Sequence, residues 1–278
     1  MSHTFIENWF KKKGWELHDH QREMIQSATP GLSNLLIAPT GGGKTLAGFL
    51  PSIIELNAHP SDSLHTLYVS PLKALTVDVA RNLLNPLADM KLSITVETRT
   101  GDTPQSRRQR QRKSPPNILL TTPESLALLI SYPDSHTIFQ KLQCIIIDEL
   151  HALASTKRGD LLSLALTRLN RWSPTARRVG LSATIPAPNE MAAYLSKSKD
   201  SDDIKIIKAQ STKPPAIQIL VGKSRLPWSG HMGLYAAPDI YEAIQSHKTS
   251  LIFVNTRAQA ELLFQSLWRI NDNNLSIA

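Results

Sequence analysis

The sequence predicts an α/β fold built on a parallel sheet with helices on both faces. Three observations carry this expectation. Short apolar runs alternate with segments of helical period, the pattern of strands joined by crossover helices. The run Leu35-Leu36-Ile37-Ala38-Pro39-Thr40-Gly41-Gly42-Gly43-Lys44-Thr45 is a strand that breaks into a glycine-rich loop and then a helix. Cys144-Ile145-Ile146-Ile147, a continuous apolar run suited to a strand covered on both faces, ends in Asp148-Glu149-Leu150-His151.

Taken in order, residues 5–12 and 17–28 read as two short helices around Gly14. Strand and helix patterns then alternate: 34–38 and 45–56, 66–70 and 74–84, 93–98, 118–121 and 124–131, 144–147, 161–169, then 178–181 and 189–194. Thr122-Pro123 opens one of these helices with a capping hydroxyl and a proline at the first helical position. Arg107, Arg108, Arg110, Arg112 and Lys113 form a basic run in a Gln/Ser/Pro-rich stretch that reads as a loop. A solvated loop and a contact to a nucleic-acid backbone fit that run equally well. Residues 197–203 are polar without apolar period and mark a linker, which divides the chain into 1–200 and 201–278. Beyond it, 204–207, 216–221 and 250–254 read as strands, 224–238 is rich in turn residues, and 240–244 and 258–268 read as helices.

Composition narrows the function classes. With 41% apolar residues the 278-residue chain can build an ordinary globular core, in one large domain or two modest ones. No stretch approaches the 18 apolar residues of a membrane span, and the N-terminus lacks the basic-then-apolar order of a secretory signal. The lone Cys144 excludes an internal disulfide framework and reads as a small buried hydrophobe. A reducing cytoplasm is the expected setting. The net charge of +8 favours a polyanionic partner, and only 6% aromatic residues argue for tracking a backbone rather than stacking on bases.

The glycine loop is built for polyphosphate. Gly41, Gly42 and Gly43 let backbone N–H groups approach the phosphates, and the helix that follows aims its positive end at the same charge. Lys44 would reach the β- and γ-phosphates, and the Thr45 hydroxyl would hold Mg²⁺. Asp148, at the end of another strand of the same sheet, holds Mg²⁺ directly or through water, and Glu149 polarises the water that attacks the γ-phosphate. Ser182 and Thr184, on either side of Ala183 after the strand at 178–181, supply two hydroxyls that can link the acidic motif to a second ligand face, with His151 taking part.

These residues resemble a known family. Ala38-Pro39-Thr40-Gly41-Gly42-Gly43-Lys44-Thr45, Asp148-Glu149-Leu150-His151 and Ser182-Ala183-Thr184 resemble motifs I, II and III of superfamily 2 DExH-box helicases, where Ala commonly replaces the first loop Gly. A narrower likeness, to the large helicase-related branch and its bacterial ligase-associated DNA helicases, rests on three stretches. They are residues 64–75, residues 97–103, and His151-Ala152-Leu153 followed by Lys157-Arg158-Gly159-Asp160. The resemblance implies a RecA-like P-loop NTPase domain, ATP and Mg²⁺ as cofactors, and single-stranded DNA as the partner. It also implies a DNA repair setting beside a DNA ligase or nuclease.

The resemblance assigns further positions. Gln21 stands where the family reads the adenine edge with a glutamine, and an amide can donate and accept together. Gln21 also suits an ordinary helix surface. Trp9, Phe10 and Trp15 serve equally as a stack for the base or as packing of two short helices. His18 and His20 flank Asp19, but no further ligand completes a metal site. Pro71, Lys73 and Ala74, the loop Thr100, Gly101, Asp102, and Thr122, Pro123, Glu124 match the nucleic-acid segments of the family, and helix capping explains part of their presence. Leu251-Ile252-Phe253-Val254-Asn255-Thr256-Arg257 resembles motif IV, which opens a second RecA-like domain. No later stretch resembles motifs V and VI or supplies an arginine finger, so the chain reads as truncated. Three functions stay open at this stage: an ATP-dependent DNA helicase or translocase, a nucleotide-gated DNA-binding fragment without efficient turnover, and an RNA-directed ATPase.

Overall fold

A computed structural model of the chain describes residues 4–183, 185–197, 204–209, 216–220 and 234–277. The chain divides into two compact units, Met1–Thr212 and Lys213–Ala278.

The first unit carries seven strands and ten helices among its described residues. In chain order they are α1 (Thr4–Lys12), α2 (Asp19–Gln26), β1 (Ser33–Ile37), α3 (Lys44–Ala58), β2 (Thr66–Val69), α4 (Lys73–Asp89), β3 (Val96–Arg99), α5 (Gln105–Lys113), β4 (Ile118–Thr121) and α6 (Pro123–Ile130). There follow α7 (Ser135–Phe139), β5 (Cys144–Ile147), α8 (Leu150–Leu153), α9 (Lys157–Trp172), β6 (Arg177–Ser182), α10 (Pro188–Leu195) and β7 (Ile204–Lys208). The sheet order is β3-β4-β2-β5-β6-β1-β7, and every pairing is parallel. All seven strands therefore end on one edge, the edge where open α/β sheets take their ligands.

Side-chain alternation sorts the strand residues into two cores, as a period of two requires. Leu35, Ile37, Leu67, Val69, Leu119, Ile145 and Ile147 face one side, packed with Leu126, Leu129, Leu162 and Leu166 of α6 and α9. Leu36, Tyr68, Leu120, Cys144, Ile146 and Leu181 face the other, packed with Met24, Phe49, Ile53 and Leu83 of α2, α3 and α4. Cys144 is fully buried, and burial pushes its thiol pKa up, so it behaves as a small apolar residue.

The structure departs from the sequence expectation at several places. The basic run is the helix α5, not a loop. Its residues are straight-chain Gln, Arg and Lys with good helix propensity, and it is pinned to β3 where Arg110 and Gln111 donate to Glu97. Residues 204–208, expected in the second half of the chain, form β7 and pair with β1 along its whole length. The boundary accordingly falls between Thr212 and Lys213 rather than at 200/201. Ile207, 1% exposed, supplies the reason: its side chain completes the core beside Leu36 and Leu181.

The second unit contains α11 (Ala237–Gln245) and α12 (Arg257–Arg269), which Thr256 caps by accepting from Gln259 N. They pack through Ala237, Leu263 and Leu267. Residues 250–254, expected as a strand, and 216–220, the described part of the strand expected at 216–221, adopt no regular structure. Leu251 and Phe253 are exposed, because no neighbouring strand among the described residues pairs with that stretch. Most of the turn-rich stretch 224–238 lies outside the described residues.

Candidate nucleotide and nucleic-acid site

The glycine loop leaves β1 and turns sharply into α3. Gly41 and Gly43 have φ of +80° and +72°, and Gly43 is the left-handed cap of α3. A Cβ on Gly43 would lie 2.7 Å from Gln21 Nε2 and displace that amide, and the left-handed φ itself favours glycine there. Lys44 and Thr45 form the first turn of α3 at its positive end, with Lys44 only 7% exposed.

From α2 the loop receives two hydrogen bonds. His20 Nε2 donates to Gly42 O at 2.9 Å, and the Gln21 amide donates to Gly43 O at 3.4 Å. Gln21 Oε1 accepts from His18 N at 3.0 Å in a capping box. Gln21 is buried rather than on a helix surface, and each end of its amide keeps one further hydrogen-bonding direction. His20, whose pKa is lowered chiefly by burial, supports the loop. Among the described residues no group of three His, Cys, Asp or Glu is arranged for a metal. The sequence signal for His20 was its place beside Gln21.

A cavity of about 600 Å³ is bordered by Thr40, Gly41, Gly43, Lys44, Thr45 and Glu149. The two motifs, on strands separated by β6, thus share one space. Trp15 and Trp9 form another wall, in edge-to-face contact at 5.7 Å, with Trp9 Nε1 donating to Asp89. Phe10 is buried in the packing of α1, so of the three aromatics only the tryptophans border the cavity.

Asp148 is 5% exposed and held by neutral donors. Tyr68 Oη donates to its Oδ2 at 2.5 Å and Glu149 N to its Oδ1 at 2.8 Å. Tyr68, which sequence reading missed inside an apolar run, is fully buried, and burial together with the Asp148 charge pushes its phenol well above the usual range. Glu149 has φ of +48°, a left-handed conformation uncommon for a residue with a Cβ, and it aims the carboxylate toward the cavity at the start of α8. His151 bridges two motifs: Nδ1 lies 3.0 Å from Ser182 Oγ and Nε2 lies 3.4 Å from Glu149 Oε2. Thr184 lies outside the described residues.

The donor set fits Mg²⁺. Among the described residues no Lys or Arg pairs with the Asp148 carboxylate, which accepts only from neutral donors, and Thr45 adds a hydroxyl to the cavity bordered by the adjacent Glu149. Magnesium keeps waters and substrate phosphates in its shell, so one carboxylate and one hydroxyl suffice where a metal held by protein alone would need a cluster.

The expected nucleic-acid residues gather beyond the ends of β2, β3 and β4, across the sheet from the glycine loop. Lys73, opening α4, pairs with Asp102 at 2.9 Å. Arg108 of α5 donates to Thr100 O at 3.1 Å and Gly101 O at 2.6 Å, fixing that loop. Arg99, 3% exposed, donates in turn to Arg108 O. Thr122 caps α6 by accepting from Ser125 N, and Glu124 pairs with Arg158 at 2.5 Å. Pro71, Thr122 and Pro123 are buried and frame the surface; Lys73, Ala74, Gly101, Asp102 and Glu124 present to solvent. Arg158 escaped the sequence reading as a partner because its contact to Glu124 spans 34 residues, and Arg108 because its stretch read as a loop.

A family model described as DEAD/DEAH box helicase matches residues 18–192. The chain belongs to the DEAD/DEAH box helicase family. It is 38% identical over 265 residues to the Lhr helicase/probable uracil glycosylase of Mycolicibacterium smegmatis, covering 90% of this chain and 18% of that protein. It is 37% identical over 273 residues to the ATP-dependent helicase Lhr-Core of Methanocaldococcus jannaschii, covering 92% of this chain and 32% of that one. Among solved structures, Mycobacterium smegmatis helicase Lhr bound to ssDNA and AMP-PNP superposes with a TM-score of 0.78 at 35% identity, over 96% of this chain and 35% of that one. The DUF1998 helicase MrfA, at 23% identity and a TM-score of 0.77, shares the fold. The helicase chain spans about a fifth to a third of the relatives it matches. The first unit has the RecA-like helicase architecture, and its close relatives are Lhr-type helicases.

Proposed function

We propose that this chain is the nucleotide-binding part of an ATP-driven helicase or translocase that acts on single-stranded DNA. The observation that carries the reading is the cavity shared by the phosphate loop and Glu149. Lys44 and the N–H groups of the loop hold the β- and γ-phosphates, Glu149 orients the attacking water, and Trp9 and Trp15 wall the space where the base can lie. When bound, Mg²⁺ would supply positive charge against the charge that develops in phosphoryl transfer. Thr45 and Asp148 hold it. Gln21 supports the loop and keeps hydrogen-bonding capacity for adenine.

DNA is favoured over RNA because the relative that shares 35% identity was solved with ssDNA and AMP-PNP. Lys73, the 100–102 loop and the start of α6 form the strand-facing surface, which suits backbone tracking. The second unit is the opening of a second RecA-like domain, a reading supported by its likeness to motif IV. A repair role beside a ligase or nuclease in the cytoplasm follows from the family resemblance.

The test separates binding from turnover. Lys44→Ala should abolish tight ATP binding. Glu149→Gln should retain binding and lower hydrolysis by ~10²–10⁴-fold, the usual worth of a positioned proton acceptor. Equal loss of binding in both variants would refute the assigned roles. Stimulation of hydrolysis by RNA but not by single-stranded DNA would favour the RNA-directed alternative.

A further inference from the structure

Asp148 receives a hydrogen bond from a residue on a different strand, and that bond has no role in the helicase reading above. Tyr68 lies on β2 directly opposite Ile146 of β5, two positions before Asp148. Its ring is 0% exposed and stacks on Phe49 with centroids 5.3 Å apart. The phenol is thus held at one place, and its single proton goes to Asp148 Oδ2 at 2.5 Å. Glu149 N occupies a direction on the other oxygen. Each carboxylate oxygen has two acceptor directions, so one on each remains for a metal shell.

We infer that Tyr68 is a positioning residue that fixes the Asp148 carboxylate for the divalent cation bound with ATP. A metal-ligating carboxylate is commonly oriented by an outer hydrogen bond, and losing such a partner typically weakens metal affinity 10–100-fold. The phenol supplies this from the strand that continues through Ser70 and Pro71 to Lys73, so the metal ligand is braced by the segment leading to the strand-facing surface. The inference rests on the ATP-binding role proposed above.

The experiment uses the full 278-residue chain and a fluorescent ATP analogue, titrated with Mg²⁺ and separately in EDTA. Tyr68→Phe removes one oxygen and keeps the ring on Phe49. It should raise the Mg²⁺ midpoint for nucleotide binding about 10–100-fold, leave binding in EDTA within about twofold, and be rescued by excess Mg²⁺. In an Asp148→Asn background the same change should have no further effect on the midpoint, whereas a merely structural tyrosine would weaken both backgrounds alike. An unchanged midpoint in Tyr68→Phe, with a clear metal effect in the wild type, overturns this inference alone. Loss of folding in Tyr68→Phe assigns the bond to stability and overturns it as well. Absence of any metal effect on nucleotide binding by the wild type would sink the proposed function and this inference together.

Discussion

His151 Nδ1 lies 3.0 Å from the hydroxyl of Ser182, joining the acidic motif after β5 to the end of the neighbouring strand β6. The opposite ring nitrogen faces Glu149 at 3.4 Å. One side chain thus connects the end of β6 to the carboxylate proposed to orient the attacking water. His151→Ala should retain ATP binding and basal hydrolysis within a few-fold and lose most of the stimulation by single-stranded DNA. Parallel ATPase assays with and without DNA check this, and a full stimulation ratio in the variant would exclude His151 from coupling.

Lys73 and Asp102 neutralise each other in the free chain, on a surface proposed to meet phosphates. Both side chains are more than half exposed, so the pair contributes little to stability. Asp102→Asn should release Lys73, strengthen single-stranded DNA binding and steepen its log–log salt dependence by about 0.7, one phosphate contact. Lys73→Glu should weaken binding on all sequences alike. Fluorescence anisotropy across a salt series measures both, and tighter binding in Lys73→Glu would refute the assignment.

Glu55 closes a buried charge cluster with Arg177 at 2.7 Å and His65 at 3.3 Å. Burial alone would raise its carboxyl pKa, but the hydrogen bonds from His65 and Arg177 outweigh it and hold the group below its usual value. A carboxyl depressed in the folded state stabilises above its unfolded pKa, about 4.3, and that stability disappears as pH falls through the lower folded pKa. Glu55→Gln leaves Arg177, 3% exposed, without its counter-charge. It should cost about 3–5 kcal/mol at pH 7, with the gap to wild type closing below pH ~4. Urea unfolding across pH measures this; a gap independent of pH would show that charge is not the cause.

The strand β7 gives a prediction about where the first unit ends. A chain of residues 1–200 would lack the strand that pairs with β1 and buries Ile207, whereas 1–212 would keep it. Burial of one Ile side chain is worth about 1.5–3 kcal/mol. For a domain of this size the shorter piece should melt about 3–12 °C lower and expose a sheet edge that promotes aggregation. Equal melting temperatures would refute β7 as part of the first unit.

Local chemistry made much of this protein legible. The glycine loop between an apolar strand and a helix, and the acidic pair after Cys144–Ile147, pointed to Lys44, Thr45 and Glu149, which border one cavity, because each device works through neighbours in the chain. The Thr122-Pro123 helix start was equally readable. The basic run 107–113 was misread because its charge suggested solvent, while Arg110 and Gln111 dock on Glu97, a residue on a strand that sequence spacing does not bring near. Strand β7 was assigned to the wrong half, since pairing with β1 joins residues far apart in sequence. Only tertiary structure revealed Tyr68 on Asp148, His20 on Gly42 and Asp102 on Lys73. Sequence fixes what a segment can do with its neighbours; packing decides which distant groups meet, because long-range contacts depend on the order in which parallel strands assemble.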